Sequence, residues 1–237
     1  MGRNDKTDES SVIPNDSLYE HLAAALRWVV RTPGLAVPFS GFSRVLQRYR
    51  QTIHFLRQFQ FDGVIDAGAN IGEFAELVRI GLPSARLFCV EPHPTCAQKL
   101  RSKGFDVIEA ALWSQSKLTL DLVQQNESST SCQLGASIIH RPSWKVSTLR
   151  LDEIPIIGDR LLIKLDLQGA ELKALTGMGS LWERCDGFVI ETCMGLQGNS
   201  RTLQELFEAK GYSNHGTLNQ FYEGDILTEI DQVWVRY

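Results

Sequence analysis

The sequence predicts an α/β protein: a mainly parallel sheet with helices on both faces. Three stretches predict it. Residues 61–91 read as strand, glycine-rich turn, helix and strand, a compact βαβ unit. Leu161-Leu-Ile-Lys-Leu-Asp166 and Gly187-Phe-Val-Ile-Glu191 are short apolar runs, as parallel strands buried on both faces are. Each of these strands ends on a carboxylate: Asp66, Glu91, Asp166 and Glu191. Unpaired acids are costly to bury, so four along one rim mark that rim as a ligand site.

Within the βαβ unit, Val64 and Ile65 carry the first strand. Gly68 and Gly72 flank a tight bend where a Cβ would meet a bound ligand or force a strained φ. Phe74, Leu77, Val78, Ile80 and Leu82 recur at helical spacing, and Pro83 stops that helix. The second strand runs from Arg86 to Glu91, which lies 25 positions after Asp66. Such a unit holds a nucleoside-bearing cofactor, with the loop beneath it and the second acid accepting ribose hydroxyls. A dinucleotide would need G-x-G-x-x-G and a bare helix N-terminus for its pyrophosphate. Here the spacing is G-x-x-x-G, and Asp66 and Glu73 near that terminus would repel a pyrophosphate. They suit a ligand without phosphate and with a positive charge, as S-adenosylmethionine is. The loop residues expected at the cofactor are Asp66, Gly68, Ala69, Asn70 and Gly72. Glu91, Pro92 and His93 are expected beside its ribose and base.

Three runs in this order, Val64-Ile-Asp-Ala-Gly-Ala-Asn-Ile-Gly72, Val90-Glu-Pro-His-Pro94 and Leu162-Ile-Lys-Leu-Asp-Leu-Gln-Gly-Ala-Glu171, resemble the FkbM-type methyltransferases. The resemblance covers about residues 60–192, and the K-x-D-x-Q-G-A-E run is its most specific piece. It implies a Rossmann-like class I methyltransferase fold: a seven-stranded sheet, an antiparallel last strand and a β insertion between strands three and four. It implies S-adenosylmethionine as donor and S-adenosylhomocysteine as product. It also implies O-methylation of a hydroxyl on a small molecule, such as a secondary metabolite, a sugar or a carrier-linked intermediate of natural product biosynthesis.

The chain has 237 residues, 43% of them hydrophobic, which suffices for one large α/β core. A net charge of −4 gives no footprint for nucleic acid. No apolar run approaches the roughly 20 residues of a membrane span. The first residues are polar, unlike a signal peptide, and Lys6 stands where a myristoylation motif wants Ser or Thr. The five cysteines contain no C-x-x-C pair and read as reduced thiols of a cytoplasmic protein. Residues 1–15 are expected to be a disordered tail, 16–60 a helical cap and 61–237 the catalytic domain. Between His21 and Phe61 stand six arginines and no acid. Arg44, Arg48 and Arg57 are therefore candidates for docking an anionic group or carrier, against the plainer reading of a solvated face.

Strand three is expected over Val107–Ala111, with Ala110, Ala111 and Leu112 lining a flat adenine pocket and Trp113 able to stack there. Lys117–Val123 alternates with period two, and Trp144–Leu149 can pair back on it, forming an antiparallel insertion. The resemblance includes such a segment, with serines like Ser128, Ser129 and Ser131; the loop would either lie over the cleft or be a plain surface loop, and His140 could reach substrate from it or be structural. Lys164 and Asp166 share one side of their strand. The last two strands are expected at Tyr212–His215 and Gln232–Arg236, with loops over Gly195–Asn199 and Asn214–Gly224 near the pocket.

Methyl transfer from a sulfonium depends mainly on positioning, and an alcohol acceptor must also lose a proton. Asp166, Glu191 and His215 are the candidate bases, and Asp166 is counted among the cofactor contacts as well. An acidic pair could instead hold a divalent cation, but a simple base is the expected arrangement, with no metal. The alternatives are a non-catalytic S-adenosylmethionine-binding module, which would bind donor without turnover, and a nicotinamide oxidoreductase, which would bind NADH. An [N/D]-P-P-[Y/F] motif of amine methyltransferases acting on nucleic acid is absent from the sequence.

Overall fold

The computed structural model describes residues 40–124, 132–134, 141–194, 199–223 and 225–237. The expected tail, the first helix with Arg27 and Arg31, the Arg44 side chain, Ser128, Ser129, Ser131, His140 and residues 195–198 lie outside the described residues.

Helix α1 (Ser40–Phe59) leads into β1 (Gly63–Ala67), α2 (Glu73–Gly81), β2 (Arg86–Val90), α3 (Pro94–Ser102) and β3 (Asp106–Ile108). Four strands then leave this alternation: β4 (Ala111–Leu112), β5 (Thr119–Gln124), β6 (Cys132–Leu134) and β7 (Ser143–Leu149). The pattern resumes with β8 (Leu161–Leu165), α4 (Glu171–Leu175), α5 (Leu181–Arg184), β9 (Cys185–Cys193) and α6 (Ser200–Ala209). A long hairpin of β10 (Ser213–Glu223) and β11 (Ile226–Val235) ends it.

The main sheet has the order β10-β11-β9-β8-β1-β2-β3. All its pairings are parallel except those of β11, which is antiparallel to both β9 and β10. This is the expected mainly parallel, seven-stranded sheet. The order reverses between β1 and β8, so a crevice opens at their carboxyl ends. The second sheet, β4-β7-β5-β6, is the expected insertion, antiparallel except for the β4–β7 pair.

Side chains alternate along each strand, so the two faces of the sheet build two cores. Ile65, Ile163, Phe188, Ile190 and Trp234 face one core with Leu175, Leu181, Leu203 and Phe207 of the short helices. Val64, Leu162, Val189 and Val233 face the other with α1 and α2. Helix α1 presents Tyr49, Ile53 and Leu56 to that core, and α2 presents Phe74, Leu77 and Val78. Gly81 lets the two helices touch: a Cβ there would stand 3.1 Å from the Leu56 Cβ.

Two expectations are corrected. Strand three is shorter than expected and stops at Ile108, because the chain turns at Ala110 to place Ala111 and Leu112 in the second sheet. The expected loop over Asn214–Gly224 is mostly strand β10, whose polar, Gly-containing sequence hides its nature. Register shifts at Asn214/Gly216, Thr217/Asn219 and Phe221/Tyr222 interrupt its ladder, as an edge strand tolerates.

Leu56 is fully buried. Leu56→Ala should cost about 2–5 kcal/mol in urea unfolding. A loss below about 1 kcal/mol would mean that α1 is not integral to the core.

Candidate active site

The turn after β1 is fixed by its own backbone. Gly68 adopts φ +74°, and a Cβ there would lie 1.8 Å from the Asp166 carbonyl oxygen. Gly68 and Ala69 donate their N–H groups to the Val90 carbonyl, tying the turn to β2. Gly72 adopts φ +95° and caps α2 against Leu100 and Phe105. Protein neighbours and positive φ therefore suffice to require glycine at both positions of the bend. Gly72 lines neither of the two cavities that meet here.

Two cavities meet at this turn, sharing Gly68, Asn70, Asp166 and Phe221. The first, about 250 Å³, lies over β2 and the second sheet, where Ala110, Ala111, Leu112 and Leu122 make an apolar wall. Glu91 stands at its edge, its Oε2 accepting from the Asn70 N–H (2.7 Å) and its Oε1 from the His93 N–H (2.8 Å). Burial pushes Glu91 up to about 7 against the pull of those two donors. The second, about 330 Å³, lies between α1, the loop and the β10–β11 hairpin.

Beneath the junction is a buried ion cluster. Register pairs Asp66 with Lys164 across β1 and β8. The Lys164 ammonium lies 3.6 Å from Asp66 Oδ1 and 3.1 Å from Asp166 Oδ2. Burial works against its charge, but Asp166 and Asp66 outweigh burial and raise its pKa. Asp66 is wholly buried, and neither of its oxygens has a hydrogen-bond partner. The Ala75 N–H faces it outside hydrogen-bonding geometry. Burial therefore raises its pKa in spite of Lys164.

Asp166 and Glu191 divide in protonation. Burial disfavours the Asp166 charge, yet Lys164 and the Gln168 amide hold its pKa below the ordinary value. Burial and then Asp166, with Glu229, Glu171 and Asp231 beyond it, push Glu191 up to about 9. The Gln168 Nε2 bridges them, donating to Asp166 Oδ1 (3.1 Å) and Glu191 Oε2 (3.0 Å). Glu171 pins the turn that carries Gln168, its Oε1 accepting from the N–H groups of Leu167 (2.9 Å) and Gly169 (3.1 Å). Gln168 and Asn70 both hold positive φ, at 52° and 48°. Such values are uncommon away from glycine; of the four among the described residues, these two lie at loop tips that face the first cavity, while Gln60 and Lys117 do not.

The expected residues divide accordingly. Gly68, Asn70, Glu91, Pro92, Ala110, Ala111, Leu112, Asp166 and Glu191 line the first cavity, and Ala69 the second. Asp66 lines neither and lies under the loop as the partner of Lys164. His93 lines neither cavity and caps a helix: its Nδ1 accepts from the Thr95 N–H (3.2 Å) and its ring packs on Trp144. Trp113 also lines neither cavity, and the Lys173 ammonium lies over its ring. His215 also lines neither cavity. It stands beside Asn214, level with Trp234 and the start of β9, whereas Glu191 lies towards the far end of β9. There its exposed ring meets Phe59 edge-on, and its Nδ1 lies 3.3 Å from the Tyr237 hydroxyl. Of the described docking candidates, Arg48 pairs with Glu73 in the second cavity, and Arg57 reaches the Ile80 carbonyl. Sequence reasoning missed Gln168, Phe221 and Glu229. Gln168 stood inside the most specific run, but the other two gave no signal, because an irregular hairpin places them.

A family model described as the methyltransferase FkbM domain matches residues 66–214, well over half of the chain. The chain belongs to the FkbM methyltransferase family. Methyltransferase 1 of Beauveria bassiana (strain ARSEF 2860) is 23% identical in an alignment 180 residues long that covers 63% of this chain and 72% of that protein. Among solved structures, methyltransferase FkbM from Methylobacillus flagellatus KT is 14% identical, covering 92% of this chain and 59% of that one, with a TM-score of 0.47. A putative O-methyltransferase from Klebsiella pneumoniae is 12% identical, covering 95% of this chain and 92% of that one, with a TM-score of 0.49. This FkbM-family protein is an S-adenosylmethionine-dependent methyltransferase, with S-adenosylhomocysteine as its product.

The residues present fit a cationic donor. The first cavity is lined by four acids, Glu91, Asp166, Glu191 and Glu229, and by no Lys, Arg or His among the described residues. Asp166, held ionised, and Glu91, ionised in part near pH 7, disfavour a phosphate there and favour a sulfonium. Among the described residues, no three metal-ligating side chains converge on one point, and no helix is long and apolar enough to cross a membrane.

The raised Glu191 has a consequence for stability. Its folded value of about 9 exceeds the ordinary 4.5, so between those values the unfolded chain gives up a proton that the folded chain keeps. Stability contributed by the neutral form is therefore lost as pH rises through that window. Glu191→Gln should melt higher than the native protein at about pH 8, with the difference gone near about pH 4. An equal shift at both would mean that Glu191 is already ionised in the fold.

Proposed function

We propose that this methyltransferase acts on a hydroxyl oxygen of a small molecule, with Asp166 as the base. One observation carries the reading: Asp166 lies where the two cavities meet and is held ionised, while its neighbour Glu191 keeps its proton. S-adenosylmethionine, when bound, supplies a methyl group on a sulfonium for in-line displacement by the acceptor oxygen. Glu91 accepts hydrogen bonds from the ribose hydroxyls, and Ala110, Ala111 and Leu112 supply the flat wall for adenine. Asp166 takes the acceptor proton, a task worth roughly 10²–10⁴-fold in rate. Glu191, neutral at pH 7, donates to the acceptor and is not the base. Gln168 keeps the two carboxyl groups at fixed spacing, and the insertion closes the base pocket with Leu122 and Leu134. The same lining supports a donor free of phosphate over a nicotinamide dinucleotide.

Calorimetry tests the reading. S-adenosylhomocysteine should bind at about micromolar Kd and NADH should not. Glu91→Ala should weaken the former by about tenfold or more, as loss of a ribose partner does. Unchanged affinity would remove the ribose site. Asp166→Asn should spare donor binding and cut methylation of a panel of hydroxyl compounds by roughly 10²-fold or more. Full activity would remove Asp166 as base, and donor binding with no turnover of any acceptor would favour a non-catalytic module.

A further inference from the structure

We infer that Asn199 and Glu171 are a positioning pair for the methyl-transfer step, clamping the turn that holds Gln168 across Asp166 and Glu191. The inference rests on the reading of Asp166 as the base.

The two acids stand where backbone pairing has ended. The β8–β9 ladder runs from Leu161–Cys185 to Leu165–Ile190 and stops one residue short of Asp166 and Glu191. Strand β9 continues beside β11 as far as Cys193, while the chain after β8 leaves the sheet through Leu167, Gln168 and Gly169. The ladder thus leaves the spacing of the base and its protonated neighbour to side chains.

Two side-chain bridges cross that gap. The first is the Gln168 amide, bonded to Asp166 and Glu191. The second is formed by Glu171 and Asn199. Glu171 Oε1 accepts from the N–H groups of Leu167 and Gly169, which flank Gln168 on both sides and so hold it at its positive φ of 52°. Glu171 Oε2 accepts from Asn199 Nδ2 (3.3 Å). Asn199 Oδ1 in turn accepts from the Cys193 N–H (3.0 Å), two residues beyond Glu191. A backbone N–H only donates, so the orientation of the Asn199 amide is fixed. This chain of bonds runs from the turn after β8 to the end of β9, and it sets where Gln168 stands relative to Glu191.

Asn199 gives up a stabilising role to do so. It is the N-cap of α6, where an Asn side chain ordinarily accepts from an N–H of the first helical turn. Here it makes no such bond. Glu171 is buried, a placement that is costly for a carboxyl group unless its oxygens are bonded. Stability alone would favour a capping Asn199 and an apolar residue at position 171; the link between turn and strand end is what both side chains are used for.

An exchange of groups tests the pair. Glu171→Gln sets one amide against another, and Asn199→Asp sets one carboxyl group against another. The double variant Glu171→Gln/Asn199→Asp reverses donor and acceptor, restores the bond, and leaves acceptors for the Cys193 N–H and for the turn. The first readout is the Gln168 side-chain amide pair in 15N NMR spectra, identified by its loss in Gln168→Leu. In the native protein it should be shifted from the exposed glutamines and slow to exchange. Each single variant should move it to the exposed position, and the double variant should return it. The second readout is turnover of the hydroxyl compound that the native protein methylates fastest. Its kcat should fall by roughly 10–100-fold in each single variant, as small misplacements of reacting groups do, and recover in the double variant, with the Kd for S-adenosylhomocysteine unchanged throughout. Asn199→Ala, which removes the bonds without opposing like groups, replaces a single variant that does not melt cooperatively. The inference is overturned if the single variants keep the native amide signals and kcat, or if the double variant melts like the native protein without recovering them. A native protein that binds S-adenosylhomocysteine and turns over no hydroxyl compound would instead sink the O-methylation reading, and this inference with it, whatever the amide signals show.

Discussion

The site is built on one buried cation. Lys164 sits among carboxylates in the floor of the crevice, and β1–β8 register places it opposite Asp66. An isolated charge at such depth is costly, and removing one partner of a buried pair typically costs about 3–5 kcal/mol. The arrangement therefore constrains the chain strongly. If β8 slipped by one residue against β1, Lys164 would turn into the apolar core formed by Ile163 and Leu165, and Asp166 would leave the rim.

From that cation the proton distribution follows. Lys164 neutralises one acid well, and Asp166, 3.1 Å away, is the one it holds ionised. Glu191 has no cation of its own and is surrounded by other acids, so it stays protonated. Glu91 lies between these extremes, buried but served by two backbone N–H groups, at about 7. Three carboxyl groups along one rim thus occupy three protonation regimes. The first cavity is left with excess acid and no cation. A sulfonium placed in that cavity would stand beside Asp166 and Glu91 with no cation in the lining to oppose it.

Much of this was legible in the sequence, for a physical reason. Strand-end acids, a G-x-x-x-G turn and the K-x-D-x-Q-G-A-E run are local patterns, and parallel strands buried on both faces convert local position directly into rim position. Lys164 and Asp166 on one side of a strand required only the two-residue alternation. The role of Asp66 was less legible, because alternation shows its face but not that a lysine on the neighbouring strand would claim it. Gly72 and His93 have structural roles that were hidden in a related way. A glycine needed for packing on Leu100 and a histidine needed as a helix cap look the same in sequence as ligand contacts. The hairpin escaped altogether. Its polar residues resemble a loop, and its register shifts break the period on which a strand is recognised.

That last failure separates two kinds of information in the chain. The inner strands, short and apolar, fix the acids at the crevice, and any sequence with their pattern builds the same rim. The walls come from elements that depart from regular geometry: a second sheet that the chain enters by leaving β3, a hairpin with three register shifts, and a helix ahead of the first strand. Each sends a side chain to the cavities: Leu134 from the second sheet, Phe221 from the hairpin, Arg48 from α1. Phe221 is the clearest case, lining both cavities from a bulged edge strand. A bulge costs ladder hydrogen bonds and is retained where it aims a side chain. The regular part of the fold therefore holds the charges, and the irregular part shapes the space in front of them.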